Sequence, residues 1–315
     1  MESVPSDPIY IFTPDTLVEI RKRYNLDGPG RMDDAINLLE DWIKKQNHFV
    51  KKDFPRDYLE RCIIFCKGSV EKAKKNIDSL CTLRSLMPQM YGDYDFRNDL
   101  TFKNMFESVN GVILPKFAPD YHRVFILRCT IQRANKQAFS DCYRYLLSTC
   151  DYWRAHDYSM GYIIVLDYRN MSISDYLASV DLMEAQGVVT MGIEGYKTRI
   201  KGFHILSTST TIHMVVKVLK QIISPKIRDR FYVHSTIEEL YDMIPKDILP
   251  QEYGGKEKSL KELQDDWIDV LSSKEHKEFV AEMNKAAVNE NYRLKEKIAE
   301  DITSMSGSFR SLNVD

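Results

Sequence analysis

Apolar positions along this chain follow two regimes, a helical period at both ends and short continuous runs between them. Leu38, Leu39, Trp42 and Ile43 recur at helix spacing in a stretch that ends near Gln46. Two more helices are predicted over 57–65 and 69–86, the second with Ser69 as N-cap and Glu71 in its first turn. Pro88, Gly92 and the polar run to Asp99 predict a turn-rich boundary. From about Val112 the pattern changes. Apolar runs at 124–128, 162–167, 202–206 and 231–233 predict buried strands, and helical stretches near 136–155, 172–187 and 211–223 separate them. Strands alternating with helices predict α/β architecture with a mostly parallel sheet. After Ser259 the chain is charged and predicted helical to about Ile302, and 304–315 reads as a flexible tail or strap. The expected organisation is a helical region over 1–105, an α/β body over 106–258 and a charged C-terminal segment over 259–315.

One helix departs from the usual two-sided pattern. Ile212, Val215, Val216, Leu219, Ile222 and Ile223 share a face, and Met214 and Val218 add a second apolar edge. Only His213, Lys217, Lys220 and Gln221 form a polar strip. Such a helix is either buried on most of its surface or covers something greasy. The cations flanking it, Arg199 and Lys201 before and Lys226, Arg228 and Arg230 after, favour the second option.

Composition narrows the function classes. A chain of 315 residues with 43% hydrophobic and 29% charged residues can bury a large core. A net charge of −2 provides no global attraction to nucleic acid, so no nucleic-acid partner is expected. The first thirty residues do not resemble a signal peptide, and no apolar run reaches 18 residues. A cytoplasmic monomer with peripheral membrane association is expected. Cys62, Cys66, Cys81, Cys129, Cys142 and Cys150 lack metal or redox spacing and are expected to be reduced core residues. Phosphate-binding loops, dinucleotide fingerprints, zinc-protease and nucleophile-elbow motifs are absent. No catalytic residue, metal or cofactor is therefore expected, and the chain reads as a binding protein. Asp167 at a strand end is expected to hold a loop or cap a helix, and His204 to sit in the core or at its rim.

The stretch 199–255 resembles the CRAL-TRIO family of hydrophobic-ligand carriers. The resemblance rests on Ile200-Lys201-Gly202-Phe203-His204, on the turn Lys226-Ile227-Arg228-Asp229-Arg230, and on Leu249-Pro250-Gln251-Glu252-Tyr253-Gly254-Gly255. Segments 40–46 and 68–74 are similar to the family's N-terminal helical domain, and 307–315 resembles the tails of insect members. The resemblance implies a sheet and helices enclosing an apolar cavity, with 211–223 as a mobile gate. It implies ligand contacts from Tyr162, Ile164 and Leu166 on one strand face, from Tyr145, Ser148, Met191 and Phe203, and from Ile212, Val215, Val216 and Leu219 on the gate. It also implies that Arg199, Lys201, Lys226 and Arg230 meet an anionic membrane surface, with a phosphoinositide as one candidate headgroup. The family's phosphoinositide-assisting arginine is Ile64 here. The expected function is a carrier that transfers a hydrophobic small molecule or lipid to or between membranes. The alternative is a ligand-dependent membrane adaptor without a transfer cycle. Retinoid, tocopherol, sterol-like, fatty acyl and phosphoinositide ligands all stay open.

Overall fold

The computed structural model of the protein describes residues 4–130, 133, 135–222 and 225–293. Four helices open the chain: α1 (Thr16–Arg23), α2 (Arg31–Lys45), α3 (Arg56–Phe65) and α4 (Val70–Leu86). In α2, Met32, Ile36, Leu39 and Ile43 are buried at i, i+4, i+7 and i+11, whereas Leu38 is exposed. Every residue of α3 from Tyr58 to Phe65 is buried, so α3 runs through the core. The Ser69 hydroxyl accepts the Lys72 N–H and starts α4.

The body is a five-stranded sheet in the order β1 (Val109–Ile113), β2 (His122–Cys129), β3 (Gly161–Asp167), β4 (Ile200–Leu206), β5 (Phe231–His234). β1 runs antiparallel to β2, and the remaining pairs are parallel. Some elements carried too little periodicity to be read from sequence, two of them beside the sheet. These two are α5 (Leu100–Phe106), capped by Asp99, and the edge strand β1, five residues long and interrupted by Asn110 and Gly111.

α6 (Lys136–His156) crosses from β2 to β3. The single helix expected over 172–187 is two, α7 (Ile173–Ser179) and α8 (Leu182–Thr190), followed by a π-helical turn at Met191–Gly195. The cause is local. Val180 is extended, and the Asp181 carboxylate accepts the N–H groups of Met183 and Glu184, founding a new helix. α9 (Thr210–Ile222) and the short α10 (Pro225–Arg228) lead into β5. The C-terminal stretch expected to be helical throughout breaks at Ser272-Ser273 into α11 (Leu260–Leu271) and α12 (Lys274–Met283), each with its own serine cap. Ile223 and the expected tail at 304–315 lie outside the described residues.

The closing motif at 249–255 is a fastener. Tyr253 is fully buried and its hydroxyl donates to Asp167 at the end of β3. Gly254 has φ +69°, and a Cβ on Gly255 would collide with the Leu249 carbonyl, so both glycines are required by geometry. The Glu252 carboxylate accepts the Leu260 N–H and ties the motif to α11.

Candidate functional site

Register aligns two apolar rows across one sheet face. Phe125, Ile164, Phe203 and Phe231 are successive cross-strand partners on β2 to β5, and Phe203 stacks on Phe231 with centroids 4.5 Å apart. One step along lie Leu127, Leu166, Ile205 and Val233. Phe125, Ile164 and Phe203 of the first row floor a cavity of about 210 Å³. Its walls are Leu146, Leu147, Cys150 and Trp153 from α6, Val188 and Val189 from α8, Gly192 and Ile193 from the π-turn, and Tyr162 and Ile200 at one end. The second row seats α9. Ile212 and Val216 pack with Leu166, Ile205 and Val233, while Met214, Val215 and Val218 face outward and are 61%, 43% and 58% exposed.

The cavity is almost free of available polar groups. The Tyr162 hydroxyl donates to Asp157 at 3.2 Å, and the Thr149 hydroxyl donates to the Tyr145 carbonyl at 3.0 Å. The Cys150 thiol is pushed up to about 12 by burial and the nearby Asp151, so it remains a neutral, weakly polar wall. An apolar ligand is therefore accepted at little desolvation cost, and an ion is rejected.

Tyr162, Ile164 and Phe203 line the cavity, and Leu166 lies in the adjoining seat of α9. Tyr145 lies elsewhere: its hydroxyl donates to the Gly111 carbonyl and accepts from Gln264, pinning the edge strand. Ser148 and Met191 are buried beside the walls without lining them. Val215 is on the outer face of α9, whereas Ile212 and Val216 turn inward. The Leu219 and Lys226 side chains lie outside those described. Sequence reasoning missed the α6 wall, although Leu146, Leu147, Cys150 and Trp153 repeat at i, i+1, i+4 and i+7, a legible stripe.

Among the basic residues, Lys201 is exposed, and Arg230 donates to the Ile200 carbonyl at 2.7 Å, which brings both to the start of β4. Arg199 is engaged differently. It donates to the Tyr24 hydroxyl at 2.6 Å and lies over that ring, packing β4 against the C-terminal end of α1. Ile64 is fully buried, so its position presents no surface to a headgroup.

The π-turn wall is held from the N-terminal helices. Asn76 on α4 donates to the Glu194 and Gly195 carbonyls at 3.0 and 2.8 Å. Arg154 donates to the Tyr196 carbonyl and to Asn76, and the Tyr196 hydroxyl donates to Asp151, which is paired with Arg84 at 2.7 Å. All these side chains are buried, and Arg84 meets both Asp151 oxygens at 2.7 and 3.0 Å.

The residues read as chemically suspect are accounted for structurally. Burial raises the Asp167 carboxyl, but hydrogen bonds and charge from Arg169, with the Tyr253 hydroxyl, outweigh it and hold the group below its ordinary value. His204 is hydrogen-bonded to His234 at 2.9 Å; burial, with His234 beside it, lowers its pKa to about 4. No cluster of three or more metal-ligating side chains occurs among the described residues.

Comparison with known proteins adds family context. The profile of the CRAL/TRIO domain matches residues 108–255, and that of the Pinta-like UBA domain matches residues 29–101. Proteins described as alpha-tocopherol transfer protein-like from Mus musculus and Homo sapiens are 23% and 22% identical to the chain over 256 residues. Each alignment covers 80% of this chain and 73% of the relative. The crystal structure of Sfh5 aligns with a TM-score of 0.48 at 13% identity, covering 75% of this chain and 92% of that one. That likeness is too loose to carry an argument.

Proposed function

Residues 108–255 are a CRAL/TRIO domain of the lipid-binding family, and from that premise we propose that the protein is a carrier. It takes up a hydrophobic small molecule or lipid in the cavity under α6 and α8 and releases it at a membrane through movement of α9. The observation that carries this reading is the continuity of the two apolar rows. The first floors the cavity, and among the described side chains the second is covered by Ile212 and Val216 of α9 together with neighbouring Ile173 and Tyr168. Lifting α9 extends the cavity over the second row, which suits a ligand longer than the closed space. Each 100 Å² of apolar ligand surface buried contributes about 2.5 kcal/mol, so release through water is slow and a membrane is the natural acceptor.

The outward residues Met214, Val215 and Val218 supply an apolar face that an interface would cover, and α8 adds Leu182, Met183 and Val189, all exposed. Lys201 and Arg230, with Lys226 of α10, contribute attraction to anionic headgroups of about 1 kcal/mol per cation near the surface. Arg199 has the smaller share because Tyr24 engages it.

The test has two arms. Mass spectrometry of the organic extract of purified protein should return a hydrophobic compound in stoichiometric amount. Transfer of that compound between vesicles should then be faster with protein than without, and faster to anionic than to neutral acceptors at low salt. A stoichiometric ligand that never moves between vesicles would convert the reading to an adaptor. No bound compound, and no uptake of any offered, would reject the carrier.

A further inference from the structure

A second chamber, of about 570 Å³, lies where the N-terminal segment, α3, α6, α11 and α12 meet, and it shares no wall residue with the lipid cavity. One side of it is aromatic, made by Tyr58, Tyr152, His156, His276 and Phe279. Tyr152 stacks on His156 with centroids 4.1 Å apart and planes 14° apart. His276 stands 5.6 Å from Tyr152 and 6.2 Å from Phe279, nearly parallel to the latter. At these separations the rings pack on one another and form one aromatic side of the chamber.

His276 is the anomaly in this chamber. It is 5% exposed, and both ring nitrogens are buried without a hydrogen-bond partner. A neutral imidazole has one N–H to give and one lone pair to fill, and each orphan buried group costs about 1–3 kcal/mol. Burial lowers its pKa to about 4, against the nearby Asp151 and with help from His156, so at neutral pH the ring is uncharged. The chamber's arginine and its other histidine are already engaged. Arg61 donates to the Arg154 carbonyl, the Tyr158 hydroxyl and Asp57, and His156 is 3.3 Å from Asp7. The two acids lining the chamber, Asp57 and Glu275, outnumber its one permanent cation, Arg61.

We propose that this chamber is a second binding site, for a flat, uncharged aromatic or heteroaromatic molecule that packs against this aromatic side and hydrogen-bonds His276 through a hydroxyl or N–H. No hydrogen bond holds the imidazole in place, so turning it toward the chamber breaks none. The excess of acids over cations excludes anionic ligands.

The test uses the full chain and three probes that share one ring system: 2-naphthol, naphthalene and 2-naphthoate. Titration followed by NMR should give 2-naphthol the tightest binding and 2-naphthoate the weakest, with 2-naphthol shifting the imidazole signals of His276. His276→Phe keeps the ring and removes both nitrogens. It should bind 2-naphthol about fivefold or more weakly, no better than naphthalene. Glu275→Gln should narrow the gap between 2-naphthoate and 2-naphthol. Ile164→Phe, which fills the lipid cavity, should leave the 2-naphthol shift of the His276 signals unchanged, separating this site from the carrier reading. Absence of any 2-naphthol effect on the His276 signals overturns the proposal. So does equal 2-naphthol affinity with and without His276→Phe in the Ile164→Phe background, or loss of the His276 shift in Ile164→Phe.

Discussion

At the scale of single residues, parity and burial make sharp demands. Ile164 sits mid-row on the cavity floor between Phe125 and Phe203. Ile164→Asp would place an uncompensated carboxylate there, at a cost of several kcal/mol. A folded Ile164→Asp protein should therefore lose loading of a hydrophobic fluorophore; normal loading would mean that the ligand lies elsewhere. Two histidines make a pH prediction. His204 and His276 titrate near 4 when folded against 6.5 for the free side chain, in both cases chiefly because they are buried. Between those values the unfolded chain binds more protons, so stability rises with pH across that window. It is complete above about 6.5 and is lost as pH falls toward 4. Each histidine contributes at most about 3 kcal/mol to that loss. Denaturant titrations from pH 7 to 4.5 should show the decline, and His276→Phe should flatten it.

At the scale of elements, α9 divides its labour between two apolar faces. Changing Met214, Val215 and Val218 together to Ser removes only outward side chains. Loading should persist, while transfer to vesicles should slow by about tenfold or more through the lost apolar contact with the interface. Unchanged transfer would assign these residues no part in docking. The same helix marks what is legible in a pattern. Its doubly apolar character is plain in the sequence, but which face turns inward is not, and Val215 falls on the outer one. The break between α7 and α8 has a local signal, Asp181 two residues before Met183, that a long apolar stretch conceals. β1 carries little local signal and exists because β2 offers it a partner.

At the scale of the molecule, the N-terminal helices brace the cavity. Asn76 on α4 holds the carbonyls of the π-turn whose Gly192 and Ile193 line the cavity wall. Asn76→Ala frees two buried carbonyls and should cost about 2 kcal/mol. It should also weaken loading, although Asn76 is not a lining residue. Thermal unfolding with and without ligand would check this: a variant destabilised but loading normally would show that the brace serves stability alone.

The sequence by itself determined the alternation of strands and helices, the Ser69 cap, the floor strand with Ile164 and the doubly apolar α9. Each is written in local chemistry: a period, a capping side chain, a run of β-formers. The family pattern at 199–255 was legible for the same reason, since Gly254 and Gly255 are required by a left-handed turn and a backbone contact within seven residues. Only the tertiary structure decided which apolar side chains face the cavity. β3 is apolar on both faces, and the walls come from four segments distant in sequence. It also decided that Arg199 packs on Tyr24, that Tyr145 pins an edge strand, and that His276 is buried unpaired among rings from α3, α6 and α12. Those outcomes depend on which distant residues meet, and contact across the chain has no local signature.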